Sequence, residues 1–346
     1  MSFAANKVLL PTSGRALALY GYTYREGVMK LIPIILGALM VASCSSSPPK
    51  PSERLANLED LEEFWVDLKK SKNEAISIEE RKYAVASWVY SAVADRTYLE
   101  PETLCFPLDE KWINIKISEG DFEELLKNGF FAQAWHRTSS RGDNELVIAY
   151  RGTDGPDDFR HGNFSFMKSP FSNSQFESAI KFRDLIFQVA DNNEKLNYDY
   201  VVFVGHSLGG GLAQYAQDFT PNSRAFVFNS SPNRGRLYSI FKKHESKKYV
   251  TRLYEKGEVL RWPRWLLFDF DRYDNSNPGG LGMNTRWFQF YKDNLIENHN
   301  MKDFSAALTK LAAVAGDAQA AEAIDFLKQR RKGNKEAATE NCSIRN

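Results

Sequence analysis

Residues Val201 to Gln214 read VVFVGHSLGGGLAQ. Val201, Val202, Phe203 and Val204 form a short continuous apolar run, the pattern of a strand buried on both faces in a parallel sheet. Gly209, Gly210 and Gly211 then open a helix, where each glycine costs about 1 kcal/mol relative to alanine. A backbone that accepts this cost needs a close approach or an unusual dihedral. Ser207 sits between strand and helix, with Gly205 and Gly209 two places to either side. Only small residues there avoid collision in a turn sharp enough to lift a serine hydroxyl above the sheet edge. The helix that follows turns its positive end toward an oxygen reacting at that hydroxyl.

This strand, serine turn and small-residue helix resemble the nucleophile elbow of the α/β-hydrolases, which makes Ser207 the candidate nucleophile. A serine nucleophile needs a base, an acid to orient that base, and donors for the oxyanion. In that fold the chain order is serine, acid, histidine. Five histidines are present. His136 and His161 precede the serine. His206 lies inside the elbow and is expected to point elsewhere. His244 lies in the solvated charge run KKHESKK. His299, in ENHNMKDF, is left as the candidate base. The acid should follow a strand end between Ser207 and His299. Glu258 comes after an expected strand at 249–254 and a turn at Gly257, and Val259 and Leu260 follow it. Asp269 and Asp271, in LFDFDRYD, are the alternatives. The DFDRYDN spacing lacks the glycine and terminal glutamate of an EF-hand loop. No metal and no other cofactor is expected.

The chain has 346 residues, of which 43% are hydrophobic. That suffices for one core of about 200–250 residues with appendages. The net charge of +1 gives no reason to expect a nucleic-acid partner. No internal repeat is visible, which argues against a solenoid or propeller. Strands alternating with helices around Ser207 predict an α/β fold, a mostly parallel central sheet flanked by helices on both faces. Helices are expected at 53–70, 79–97, 174–192 and 302–331, with a helical turn at 121–127. Strands are expected at 113–117, 130–138, 146–150, 201–204, 224–228 and 249–254. The second and third of these form a hairpin. Residues 261–296 read as irregular and aromatic-rich, and 332–346 as a polar tail.

Near the N-terminus, residues 29–44 read MKLIPIILGALMVASC. A bilayer span needs about 20 apolar residues, and this run is shorter. It fits the apolar region of a signal peptide. The ending VASC resembles a bacterial lipobox, in which Cys44 is lipidated, and SSSPPKPS reads as a tether. The expected organisation is an over-extended N-terminus at 1–28, with translation starting at Met29. A lipoprotein signal peptide at 29–43 follows, then lipidated Cys44 and tether at 44–52, the hydrolase domain at 53–331 and the tail. By resemblance to known lipoprotein sorting, Ser45 and Ser46, in place of aspartate, favour the outer membrane. The expected location is the bacterial cell envelope, lipid-anchored and facing the periplasm. Cys105 and Cys342 remain as a disulfide pair or as separate thiols.

The segments LVIAYRGTD (146–154), DDFRHGN, GHSLGGGLA, YVTRLYEKGEVLRW and HNMKDF together resemble the fungal-type (class 3) lipase family over roughly residues 80–305. The resemblance implies cleavage of acyl esters of lipids without a metal. It implies that Thr153 supplies one oxyanion donor and the N–H of Leu208 the other, each worth roughly 2.7–4 kcal/mol in such sites. The family usually has aspartate where this chain has Glu258. It also places a lid after the RGT segment. Gly155 and Pro156 would start that lid here, and Phe164, Phe166, Met167 and Phe171 would form its apolar face. Trp262, Trp265, Phe268, Trp287, Phe288 and Phe290 suit the core, an acyl pocket or a bilayer surface.

The expected function is that of a serine hydrolase acting on carboxylic esters of lipids, with a phospholipid or lysophospholipid substrate suggested by the anchor. Its expected partners are that substrate and the membrane. Three alternatives stand beside it. One is an esterase or acyltransferase on soluble esters. Another is a non-catalytic envelope lipoprotein with the same fold. The third is a toxin effector against rival membranes, which would need an immunity partner.

Overall fold

A computed structural model describes residues 77–98, 112–126, 129–139, 142–152, 174–231, 249–261, 284–290 and 297–331, all within the unit Ser52–Asn346. The signal peptide, Cys44 and its tether, the 53–70 helix, Cys105, Thr153, the lid segment, Asp269, Asp271 and Cys342 lie outside the described residues. So do Trp262, Trp265 and Phe268.

Among the described residues, seven strands form one sheet in sequence order. They are β1 (Trp112–Ile115), β2 (Ala132–Thr138), β3 (Asn144–Tyr150), β4 (Tyr200–His206), β5 (Ser223–Phe228), β6 (Val250–Glu255) and β7 (Asn284–Phe288). The pairs β1–β2 and β2–β3 are antiparallel, and every pair from β3 to β7 is parallel. The sheet is therefore mostly parallel, compatible with an α/β-hydrolase-like fold. Right-handed crossovers that always step the same way carry their helices to one face. Accordingly α3 (Ser174–Asp191), between β3 and β4, and α4 (Leu208–Asp218), between β4 and β5, pack together on one side. The other side is covered by α1 (Ile78–Arg96) from before the sheet and α5 (Met301–Val314) from after it.

The period-2 alternation of strands assigns the residues to these two layers. Val201 and Phe203 join Leu146, Ile148, Tyr150, Ala225 and Val227 under α3 and α4. Val202 and Val204 join Val147, Ala149, Phe228 and Leu253 under α1 and α5. All of these side chains are buried, as the continuous apolar runs predicted. A capping box starts α1, in which the Ser77 hydroxyl accepts from Glu80 N–H and the Glu80 carboxylate accepts from Ser77 N–H. At the start of β3, buried Glu145 accepts from Tyr90 of α1, from Tyr200 of β4 at 2.5 Å and from Arg137 Nε at 2.6 Å. This network fixes α1 to the end of the sheet opposite Ser207.

Three expectations are refined. Residues 261–296 are not wholly irregular, because they contain β7. Its sequence NTRWF has no apolar run, which a strand at the end of the sheet does not require. Phe288, the last residue of β7, and Phe290 just after it are core, stacked at 4.8 Å and packed on Phe304 of α5. The 302–331 segment is two helices, α5 and α6 (Ala318–Arg331). Gly316, at φ +98°, ends the first. Gly316 N–H donates to Ala313 O and Asp317 N–H to Ala312 O, both at 3.0 Å, which satisfies carbonyls of the last turn. Asp317 then caps α6, accepting from Ala320 N–H at 2.9 Å. The short α2 (Glu119–Leu126) replaces the helical turn expected at 121–127. No helix among the described residues is long and apolar enough to cross a membrane.

Candidate active site

Ser207 joins β4 to α4 at φ 56°, ψ −126°, a conformation that costs a non-glycine residue of order 1–3 kcal/mol. Its surroundings enforce that conformation. Ser207 N–H donates to Phe228 O at 3.1 Å, and Ser207 O accepts from Ser231 N–H at 2.8 Å and Gly210 N–H at 3.0 Å. The glycines around it provide space. A Cβ on Gly205 would enter the Gly209 backbone, and one on Gly209 would strike the carbonyl of Tyr150. One on Gly210 would strike Ser230. Thus α4 begins in contact with the end of β3. The N-cap of α4 is Ser207, whose side chain makes no capping hydrogen bond. The N–H of Leu208, its first residue, has no acceptor within the helix.

Glu258 follows β6 through a turn at Gly257, whose φ of +80° favours glycine. Its carboxylate is buried. One oxygen, Oε2, accepts from Leu260 N–H and from His299 Nδ1, each at 2.8 Å. His299 ends a 3-10 turn, Glu297–His299, just before α5. The N-cap residue Asn300 fixes the helix entry, its side chain accepting from Lys302 N–H at 3.0 Å. The structure thus brings Glu258 and His299 together across 41 residues of chain.

His206 corrects the expectation that it points elsewhere. On β4 it shares the alternating face of Val202 and Val204, the face covered by α1 and α5. There its ring lies 4.7 Å from the ring of His299. Its Nε2 donates to the His299 carbonyl at 2.8 Å, and its Nδ1 accepts from the Tyr98 hydroxyl at 2.8 Å. The Tyr98 hydroxyl accepts from Gly152 N–H at 3.0 Å. Burial holds the His206 pKa well below its usual value, and the adjacent His299 adds to the effect. The residue preceding Ser207 is therefore bonded to the backbone of the candidate base.

Asn229, at the tip of β5, is a second residue that sequence reasoning missed. It is buried with φ 40°. Its N–H donates to Leu253 O at 2.9 Å, and its Oδ1 accepts from Glu255 N–H at 2.7 Å. Its Nδ2 donates to Asn298 O at 3.3 Å. One amide side chain thereby joins the end of β6, which leads to Glu258, and the turn that carries His299. Only the strand end before SSPN marks it in the sequence. Among the described residues no group of histidine, cysteine, aspartate and glutamate side chains could hold a metal ion.

His206 of the elbow thus bonds the His299 carbonyl, and buried Glu258 bonds the His299 ring. Residues 89–260 match the family model of the Tle-like phospholipase domain. The segment is similar to a phospholipase domain. It supports a lipase- or phospholipase-like hydrolase at a coarse level, and with that a lipid or ester substrate. The phospholipase-like segment runs from the middle of α1 to just past Glu258, so it holds Ser207 and Glu258, and His299 lies beyond it. No curated protein matches the chain significantly.

Proposed function

We propose that the chain is a serine hydrolase that cleaves carboxylic esters of phospholipids, with Ser207 as nucleophile, His299 as base and Glu258 as the orienting acid. The observation that carries this reading is the 2.8 Å hydrogen bond between His299 Nδ1 and buried Glu258, reached from the loop that His206 binds beside Ser207. The carboxylate accepts the Nδ1 proton, so Nε2 is the basic nitrogen. Nε2 takes the Ser207 proton as Oγ attacks the acyl carbonyl carbon. The charge that develops on the carbonyl oxygen is met by the N–H of Leu208 and, in the proposed assignment, by Thr153. Protonated His299 gives its proton to the leaving alcohol oxygen, which leaves an acyl group on Ser207. Water, deprotonated by His299, then releases the fatty acid.

The proposed lipid anchor at Cys44 holds the site beside a bilayer of the bacterial envelope, with the protein on the outer membrane and facing the periplasm. Phospholipid is then the ester at highest local concentration. Labelled palmitate entering the wild-type chain but not Cys44→Ala supports the anchor; equal labelling of both removes it. The activity is tested with the full chain on vesicles of phosphatidylethanolamine and phosphatidylglycerol. Fatty acid released by wild type and not by Ser207→Ala is the expected result. Hydrolysis of a soluble short-chain ester without any release from vesicles would overturn the lipid assignment in favour of a soluble-ester esterase.

A further inference from the structure

We infer that Tyr98 and His206 form a positioning relay that sets the strand end at Gly152 and the base loop at His299 from a common point beside Ser207. The inference rests on the serine hydrolase reading above. Three hydrogen bonds make the relay: Gly152 N–H to Tyr98 Oη at 3.0 Å, Tyr98 O–H to His206 Nδ1 at 2.8 Å, and His206 Nε2–H to His299 O at 2.8 Å. Its two ends fix the outer two directions. A backbone N–H can only donate and a carbonyl can only accept. Burial holds the His206 ring in its neutral form, and since the His299 carbonyl can only accept, the single ring proton is on Nε2 and Nδ1 is left to accept from the Tyr98 hydroxyl.

Geometry makes the relay stiff. A Cβ on Gly152 would meet the Tyr98 hydroxyl, the His206 carbonyl at 2.7 Å and Ser207 Cβ at 3.0 Å. The backbone of Gly152 thus lies directly on the elbow. The rings of Tyr98 and His206 also meet edge to face at 5.6 Å. His206 is joined to Ser207 by a peptide bond. A shift of the nucleophile relative to Gly152 or to His299 must stretch one of these bonds. Thr153, the proposed oxyanion donor, follows Gly152 in the chain. Neither Tyr98 nor His206 takes part in bond making. Each acts through the groups it holds.

The test measures hydrolysis of p-nitrophenyl butyrate by the full chain as wild type, Tyr98→Phe, His206→Gln and His206→Ala, with an unfolding midpoint for each. A misplacement near 1 Å costs a reaction about 10²-fold, so Tyr98→Phe should lower kcat by about 10- to 100-fold with KM within about twofold. His206→Gln keeps an amide donor near the Nε2 position. It should recover about 10-fold in kcat over His206→Ala, at similar stability. Wild-type kcat in Tyr98→Phe, or no difference between the glutamine and alanine variants, would overturn the relay. Activity losses that track only the unfolding midpoints would do the same. If wild type itself neither hydrolyses the ester nor reacts with a fluorophosphonate, the hydrolase reading fails first and the relay falls with it. An active wild type with an unaffected Tyr98→Phe variant removes the relay alone.

Discussion

Glu258 follows the Gly257 turn at the end of β6, and its carboxylate is buried. The carboxylate reaches His299 Nδ1 at 2.8 Å and is steadied by Leu260 N–H at the same distance. Glu258→Gln keeps the shape but removes the acceptor charge that selects the His299 tautomer. It should lower kcat about 10³- to 10⁴-fold, measured as steady-state ester hydrolysis with KM little changed. Glu258→Asp keeps the charge and shortens the reach. Its loss should be smaller, about 10- to 100-fold. Equal losses in the two variants would mean that charge is not what Glu258 supplies. The candidates Ser207, Glu258 and His299 can be picked from the sequence because five histidines, a fixed chain order and a strand end leave few choices, with Asp269 and Asp271 beside Glu258; the contact of Glu258 with His299 is what the fold adds. His206 is misread when only its position in the turn is weighed and its strand parity is not. Parity puts it with Val202 and Val204, on the face where His299 arrives.

At the scale of elements, glycine substitutions separate close approach from simple helix propensity. Gly209 opens α4 against the carbonyl of Tyr150, which belongs to the sheet and cannot swing aside. Gly209→Ala should destabilise the protein by about 1–3 kcal/mol in denaturant unfolding and impair Ser207 reactivity. Gly120, inside α2, has an ordinary φ, and a methyl group added there would meet nothing within 4 Å. Gly120→Ala should stabilise by about 0.4–1 kcal/mol. The same substitution thus has opposite signs at the two sites, and like signs would contradict the packing described for the elbow. Strands β3 to β6 are legible as apolar or β-branched runs. Strand β7 is not, since NTRWF lacks such a run and is recognised only by its pairing with β6. The break between α5 and α6 is written in Gly316 and Asp317 but obscured by the alanines and leucines on either side.

At the scale of the whole molecule, α1 and α5 form the layer behind the candidate base, and their contact is not readable from a chain that separates them by about two hundred residues. Ser91 of α1 and Ser305 of α5 meet at 3.2 Å within it. Asp95, near the end of α1, lies close to Lys302 and Asp303 of α5. Burial raises its pKa from 3.8 to about 7, with Asp303 adding to the rise and Lys302 opposing it. The folded carboxyl therefore holds its proton more tightly than the unfolded one. Its contribution to stability is full below about pH 4 and is lost as the pH rises through about 7. Asp95→Asn should accordingly raise the unfolding midpoint relative to wild type at pH 8, with the gap closing toward pH 4. A gap that widens on acidification would mean that Asp95 is ionised and paired in the folded protein. The most direct test of the hydrolase assignment is intact-mass analysis of the full chain after reaction with a fluorophosphonate in detergent. Wild type should gain one phosphonyl group, Ser207→Ala none, and His299→Ala should react far more slowly. A folded wild-type protein that gains no mass, or a Ser207→Ala variant that still does, would contradict it.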